Sequence, residues 1–147
     1  MGSSFKDLRV WQDAIKLATA IYGMAEKFPK REVYGLTSQV RRAAVSVASN
    51  IAEGKGHRSN REFCNFLSHA RGSLLELQTQ LIIVRELKLS QMDAGAILAQ
   101  ATAVARALNV LINAVRASGA PGAPGTNDHR LPTCLKDSTK SKPSMTS

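Results

Sequence analysis

Apolar residues along this chain recur at steps of three and four, and no stretch alternates in the manner of a strand. The first periodic segment runs from about Asp7 to Phe28 and carries two adjacent stripes. Leu8, Trp11, Ile15, Ala18, Tyr22 and Ala25 form one; Val10, Ala14, Leu17, Ile21, Met24 and Phe28 form the other. Together they predict a helix with a wide apolar face, N-capped by Asp7 and stopped by Pro29. A second helix is predicted from about Leu36 to Glu53, with Leu36, Val40, Ala43 or Ala44, Val47 and Ile51 inward, and Gly54 and Gly56 ending it. The third opens on Ser59-Asn60-Arg61-Glu62, a capping box in which the Ser59 hydroxyl takes the Glu62 amide proton and the Glu62 side chain returns to the Ser59 amide. Phe63, Leu67, Ala70, Leu74, Leu77, Leu81 and Val84 then form an unbroken heptad seam, and the helix should end near Lys88. Ser90-Gln91-Met92-Asp93 opens a fourth helix, whose seam is Ile97, Ala101, Val104, Leu108, Leu111 and Val115, closed by Ser118-Gly119.

Short links force neighbouring helices to run antiparallel. The expected fold is therefore all-α: an up-down-up-down four-helix bundle over residues 1–117. Four of the five prolines lie after Gly119, among Gly, Ser, Thr and Lys. Residues 118–147 are expected to be a disordered basic tail, since they carry too little apolar surface to offset chain entropy. Aromatic residues make up only 5% of the chain, so Leu, Ile, Val and Ala must build the core.

Charge changes the picture from a bundle to a bundle with an anionic partner. The net charge is +9, with 16 basic and 9 acidic side chains through Ala117 and 4 and 2 beyond it. Arg41, Arg42, Lys55, Arg58, Arg61 and Arg71 stand against Glu53 and Glu62 alone over residues 41–71. Lys55 to Arg61 surround a turn that leads into a helix N-terminus, whose free N–H groups and positive dipole accommodate phosphate. A solvated loop that happens to be basic accounts for the same residues. Trp11, Tyr22 and Tyr34 lie elsewhere, so no aromatic stacking platform is expected beside the patch. Salt-sensitive binding of backbone phosphate, RNA or DNA, with little sequence preference is what these side chains support.

Catalytic chemistry finds little footing. Gln39, Arg42, Ser46, Ser49, Asn50 and Glu53 share one face of the second helix, and His69, Ser73, Glu76 and Gln80 one face of the third. The two faces could meet if the helices pack side by side, but an exposed face, or buried hydrogen bonds that fix helix register, is preferred to an active site. Gly72 and Ser73 are small enough to admit a neighbouring backbone. Glu53 and Glu76 could face each other, but no Glu is followed three residues later by His, so no di-iron site is expected. His57, His69 and His129 are scattered; Cys64 and Cys134 form neither a metal spacing nor a disulfide framework. Gly54-Lys55-Gly56-His57 lacks the spacing of a phosphate-binding loop. No metal, no cofactor and no catalytic residue are expected. The N-terminus carries no apolar run resembling a signal peptide, and charges interrupt the apolar segments, so neither a membrane span nor a membrane partner is expected. The expected compartment is the cytoplasm.

Several motifs taken together resemble a known family. Phe5-x-x-Leu8-x-Val10-Trp11-Gln12, Phe28-Pro29-x-x-Glu32-x-Tyr34-Gly35-Leu36, Gln39-Val40-Arg41-Arg42-Ala43, Ser49-Asn50-Ile51-Ala52-Glu53-Gly54 and Gly72-Ser73-Leu74-x-Glu76-Leu77 resemble the four-helix-bundle proteins named after reading frames in 23S rRNA intervening sequences. The accessory variability determinant protein of diversity-generating retroelements is a relative. The resemblance covers residues 5 to about 116 and implies an antiparallel protomer that assembles into a homopentameric ring. In the retroelement branch it also implies a basic surface that binds nucleic acid and a reverse transcriptase. The surplus apolar stripe on the first helix would then be a subunit interface. The expected function is that of a non-enzymatic, homo-oligomeric, nucleic-acid-binding accessory protein; the alternative is an assembly or adaptor module with a protein partner.

Overall fold

The computed structural model describes residues 3–119. The expected tail lies outside these residues, apart from Ser118 and Gly119. Four α-helices account for the fold, and no strand occurs among the described residues: α1 (Arg9–Ala25), α2 (Leu36–Gly56), α3 (Asn60–Glu86) and α4 (Ala94–Ser118). Short 3-10 turns precede α1 (Phe5–Asp7) and α2 (Lys30–Glu32).

Contacts between side chains establish the direction of each helix. Tyr22 of α1 meets Arg41 of α2, while Trp11 shares a groove with Ser49 and Ala52. Ser46 bonds Ser73, and Gly54 meets Phe63 and Phe66. Along α3 and α4, Asn60 pairs with Ser118 and Gln78 with Thr102. In every pair the residue numbers run in opposite senses, so successive helices are antiparallel. The α2–α3 pairing is the most extensive and the α1–α4 pairing the thinnest.

The core follows the predicted stripes. Val10, Ala14, Leu17, Ile21, Met24 and Phe28 are buried from the first segment, and the whole Phe63–Val84 seam is buried from α3. Of the other stripe on α1, Ala25 is buried and Leu8, Trp11 and Ala18 pack partly against the core, while Ile15 and Tyr22 are 40% and 44% exposed. On α4 the seam departs from the heptad. Ile112 is buried where Leu111 is expected, and Leu111 is only partly covered. A straight helix of 3.6 residues per turn drifts about 20° per heptad away from a 3.5-residue seam, so by the fourth turn the next residue takes over.

Helix ends differ from expectation in instructive ways. Asp7 does not cap α1. Its carboxylate accepts from the Ser4 amide at 3.0 Å, and Ser4 Oγ accepts from the Lys6 amide, which closes a separate 3-10 turn. The helix stops at Ala25 rather than at Phe28. Beyond it Lys27 and Phe28 donate to the carbonyls of Met24 and Ala25, so the last turn tightens before Pro29 is reached. At the end of α3, Lys88 sits at φ 52° while the amides of Lys88 and Leu89 donate to the carbonyls of Arg85 and Val84. That is a Schellman motif built without glycine. Asp93 alone caps α4, accepting from the Gly95 amide at 2.8 Å; Ser90 accepts from Met92 in the link.

Gly54 lies inside α2 and Gly56 is its last residue; neither is a left-handed cap, and the cap is His57 in extended conformation (φ −79°, ψ 151°). Gly54 is buried against α3. A Cβ there would lie 2.7 Å from Phe66 Cβ and 3.0 Å from Phe63 Cδ2. Gly72, expected to admit a neighbouring backbone, is exposed, with nothing within 4 Å of its would-be Cβ.

Helix α4 also corrects the reading that charges interrupt every apolar segment. A window of Ala94–Ser118 reaches a mean hydropathy of 1.5, so by length and composition alone this helix could cross a membrane. Much of that hydropathy is alanine distributed around the helix, while Ile97, Ala101, Val104, Leu108, Ile112 and Val115 point into the bundle.

The two glycines generate opposite expectations. Gly54→Ala should lower unfolding free energy by about 1–3 kcal/mol through overpacking, although helix propensity alone favours alanine by about 1 kcal/mol. Gly72→Ala should raise it by about 0.5–1 kcal/mol. Urea titrations at one protein concentration check both signs.

Candidate nucleic-acid interface

The turn between α2 and α3 occupies three residues, His57 to Ser59. Ser59 is the cap of α3. Its Oγ accepts from the Glu62 amide at 3.1 Å and donates to Glu62 Oε2 at 3.0 Å. The capping box thus closes through the hydroxyl, rather than through the Ser59 amide as expected. Glu62 Oε2 also lies 3.5 Å from His57 Nδ1. The acidic residue in the middle of the cationic segment is therefore engaged at the turn itself.

Around it the basic residues take different positions. Lys55 Nζ lies over the Phe63 ring, 5.8 Å from its centroid, and Arg58 and Arg61 are exposed within the next six positions. Arg41 turns the other way, toward α1, with its guanidinium 5.0 Å above the Tyr22 ring; the arginine is half-buried and its Nε is covered without a hydrogen-bond partner. Arg42 is exposed one turn from Ser46, and half-buried Arg71 lies two residues before Ser73. Arg61 and Arg71 are ten positions apart on one helix, about 15 Å. The six cations form one cluster of three at the α2–α3 end and three separate positions along the bundle.

The structure adds what the charge pattern missed. His57 stacks on Phe66, ring centroids 4.9 Å apart and planes 17° apart, and Phe66 meets His69 edge-on at 6.3 Å. An aromatic platform does accompany the cations, against expectation, because Phe66 and the histidines supply it in place of Trp or Tyr. The readable signal was the spacing of Phe66 and His69 on α3 directly after the turn. Arg116, half-buried near the end of α4, is a further basic residue at this pole. The Asn60 side chain donates to Ser118 Oγ at 3.2 Å, so the chain leaves the described structure beside the α3 N-terminus.

The polar rows meet at one place. The Ser46 and Ser73 hydroxyls share a 2.8 Å hydrogen bond, and Asn50 Nδ2 donates to the Ser46 carbonyl and hydroxyl at 2.8 and 3.0 Å. Gln80 is buried and donates to Glu76 Oε1 at 3.1 Å, leaving its own Oε1 without a partner. Ser49 and Glu53 are exposed. Glu53 and Glu76 do not face each other. Glu53 lies at the level of Phe66, so about ten residues, or 15 Å, separate it from Glu76. Among the described residues no group of three or more His, Cys, Asp and Glu is placed to hold a metal ion, and Cys64 is buried and free.

The sequence profile of the 23S rRNA-intervening sequence proteins matches residues 6–110, which takes in α1, α2, α3 and most of α4. The chain belongs to this family. No curated protein matches it. In this member of the 23S rRNA-intervening sequence proteins, the Ser-Asn-Ile-Ala-Glu-Gly and Gly-Ser-Leu-x-Glu-Leu segments supply the Gly54 approach and the Ser46–Ser73 contact region, which is packing between α2 and α3.

Ser46→Ala should cost about 1 kcal/mol, because it strands the Ser73 hydroxyl and one Asn50 donor in a half-buried seam. Ser49→Ala, on the same row but exposed, should stay within about 0.5 kcal/mol. Thermal unfolding of the two variants separates the buried contact from the exposed face.

Proposed function

We propose that this protein is a non-enzymatic, homo-oligomeric accessory factor that binds nucleic acid through its phosphates. The observation that carries the reading is the α2–α3 end, where Lys55, Arg58 and Arg61 gather while Glu62 is held by Ser59 and His57. The segment that follows Gly119 starts at this same pole and carries 4 basic residues against 2 acidic. Counterion release on neutralising phosphates makes such binding tight at low salt and weak at high salt, with no base-edge contact required.

Assembly is supported by the outer faces of α1. One apolar groove runs between α1 and α2, lined by Phe5, Trp11, Ile15, Ala18, Val45 and Ala52 among others. A second lies between α1 and α4, where Leu8, Val10, Val110 and Leu111 meet; Val110 is 69% exposed. Family resemblance favours a ring of five copies. The same grooves also favour the second reading, an adaptor that docks a protein partner, a reverse transcriptase if the chain belongs with the retroelement proteins.

Arg42→Glu combined with Arg58→Glu should weaken binding of RNA or DNA and reduce the slope of log affinity against log salt by about one per lost contact. Arg41 is left intact because its stacking on Tyr22 would confound the result. A salt slope equal to that of the unmodified protein would remove these side chains from the interface. Light scattering should return a mass several times the 15.8 kDa of one chain, and a monomer mass would remove the ring.

A further inference from the structure

We propose that the α2–α3 turn holds an unpaired nucleobase, stacked on the outer face of the His57 imidazole, while Arg58 and Lys55 take phosphates of the same strand. The inference rests on the nucleic-acid reading above and names its substrate class: single-stranded nucleic acid rather than duplex.

The turn is already arranged as half of a stack. His57 lies off the end of α2 in extended conformation, nearly parallel to Phe66 at 4.9 Å. Phe66 is anchored on α3 where α2 comes close, since a Cβ at Gly54 would lie 2.7 Å from Phe66 Cβ. Glu62 Oε2 lies beside the edge of the imidazole, 3.5 Å from Nδ1. One face of the ring is thus covered by Phe66, and the 38% of the side chain that remains exposed is where a further ring would dock. A third ring added there meets a surface whose orientation is set before binding, so little ordering entropy remains to be lost.

Charge selects which ring. Arg58 follows His57 directly and is exposed, and Lys55 precedes it by two positions. A base carries its own phosphates on either side, and this turn offers cations before and after His57 in the chain. A base inside a duplex already has both faces covered by neighbours, so only an unpaired or strand-end base can dock. Stacking on an aromatic face is tolerant of base identity, which agrees with phosphate binding of little sequence preference.

The test compares three labelled probes by fluorescence anisotropy with the full chain at fixed salt: a deoxyadenylate single strand, an abasic strand with the same number of phosphates, and a duplex. The unmodified protein should favour the base-bearing strand over the abasic one on the order of tenfold. His57→Ala should abolish that preference and leave the affinity for the abasic strand in place, whereas His57→Phe should restore it. Arg58→Glu should weaken both strands together. His57 lies outside the helices and the core, and circular dichroism of each variant verifies the fold. Equal affinity for base-bearing and abasic strands, or a His57→Ala loss shared equally by both, overturns the stacking site while phosphate binding stands. Absence of binding to all three probes at low salt overturns the phosphate reading and the stacking site together.

Discussion

Helix α2 can lie as close to α3 as it does because position 54 has no Cβ. The missing methyl lets the backbone of α2 settle onto Phe63 and Phe66, and that approach fixes how far one helix slides along the other. Two turns away, the Ser46–Ser73 bond falls in register as a consequence. Steric fit sets the distance and the hydroxyl pair sets the phase. A core of Leu, Ile, Val and Ala alone would tolerate several neighbouring registers at similar cost, since these side chains carry no directional contact.

The same approach connects the fold to the proposed site. Phe63 and Phe66, pinned by Gly54, are the rings on which Lys55 and His57 rest. Lys55 and the imidazole at the turn are therefore placed by packing against α3 rather than by the loop alone. A three-residue turn between two long helices leaves them little freedom, and precise positioning from rigid elements is what a recognition surface needs.

The existence and packing faces of all four helices were legible in the apolar spacing, most clearly for α3, where every residue of the predicted seam is buried. Errors concentrated where local hydrogen bonding competes with periodicity. Asp7 went into a 3-10 turn with Ser4, and Gly54 served packing although a glycine near the end of a pattern usually signals a stop. Leu111 gave way to Ile112 because a heptad is only an approximation to a helical repeat. For the site, charge density around residues 55–61 could be read from composition, but the direction of each side chain could not. Arg41 and Arg42 are adjacent in sequence and point to different neighbours, α1 for one and solvent for the other. The His57–Phe66 stack joins residues nine positions apart across a helix boundary, where no simple period applies.

An even number of antiparallel rods has a further result. Ser4 before α1, the α2–α3 turn and Gly119 after α4 all come to one pole, while Tyr34, 96% exposed in the link before α2, belongs to the opposite pole. Anything fused at the start of this chain, an affinity tag included, is attached at the pole that carries Lys55, His57 and Arg58. A polyhistidine tag there would add imidazoles next to the native ones, so recombinant material is best compared with and without it. Probes attached near Tyr34 would report from the far side without that interference.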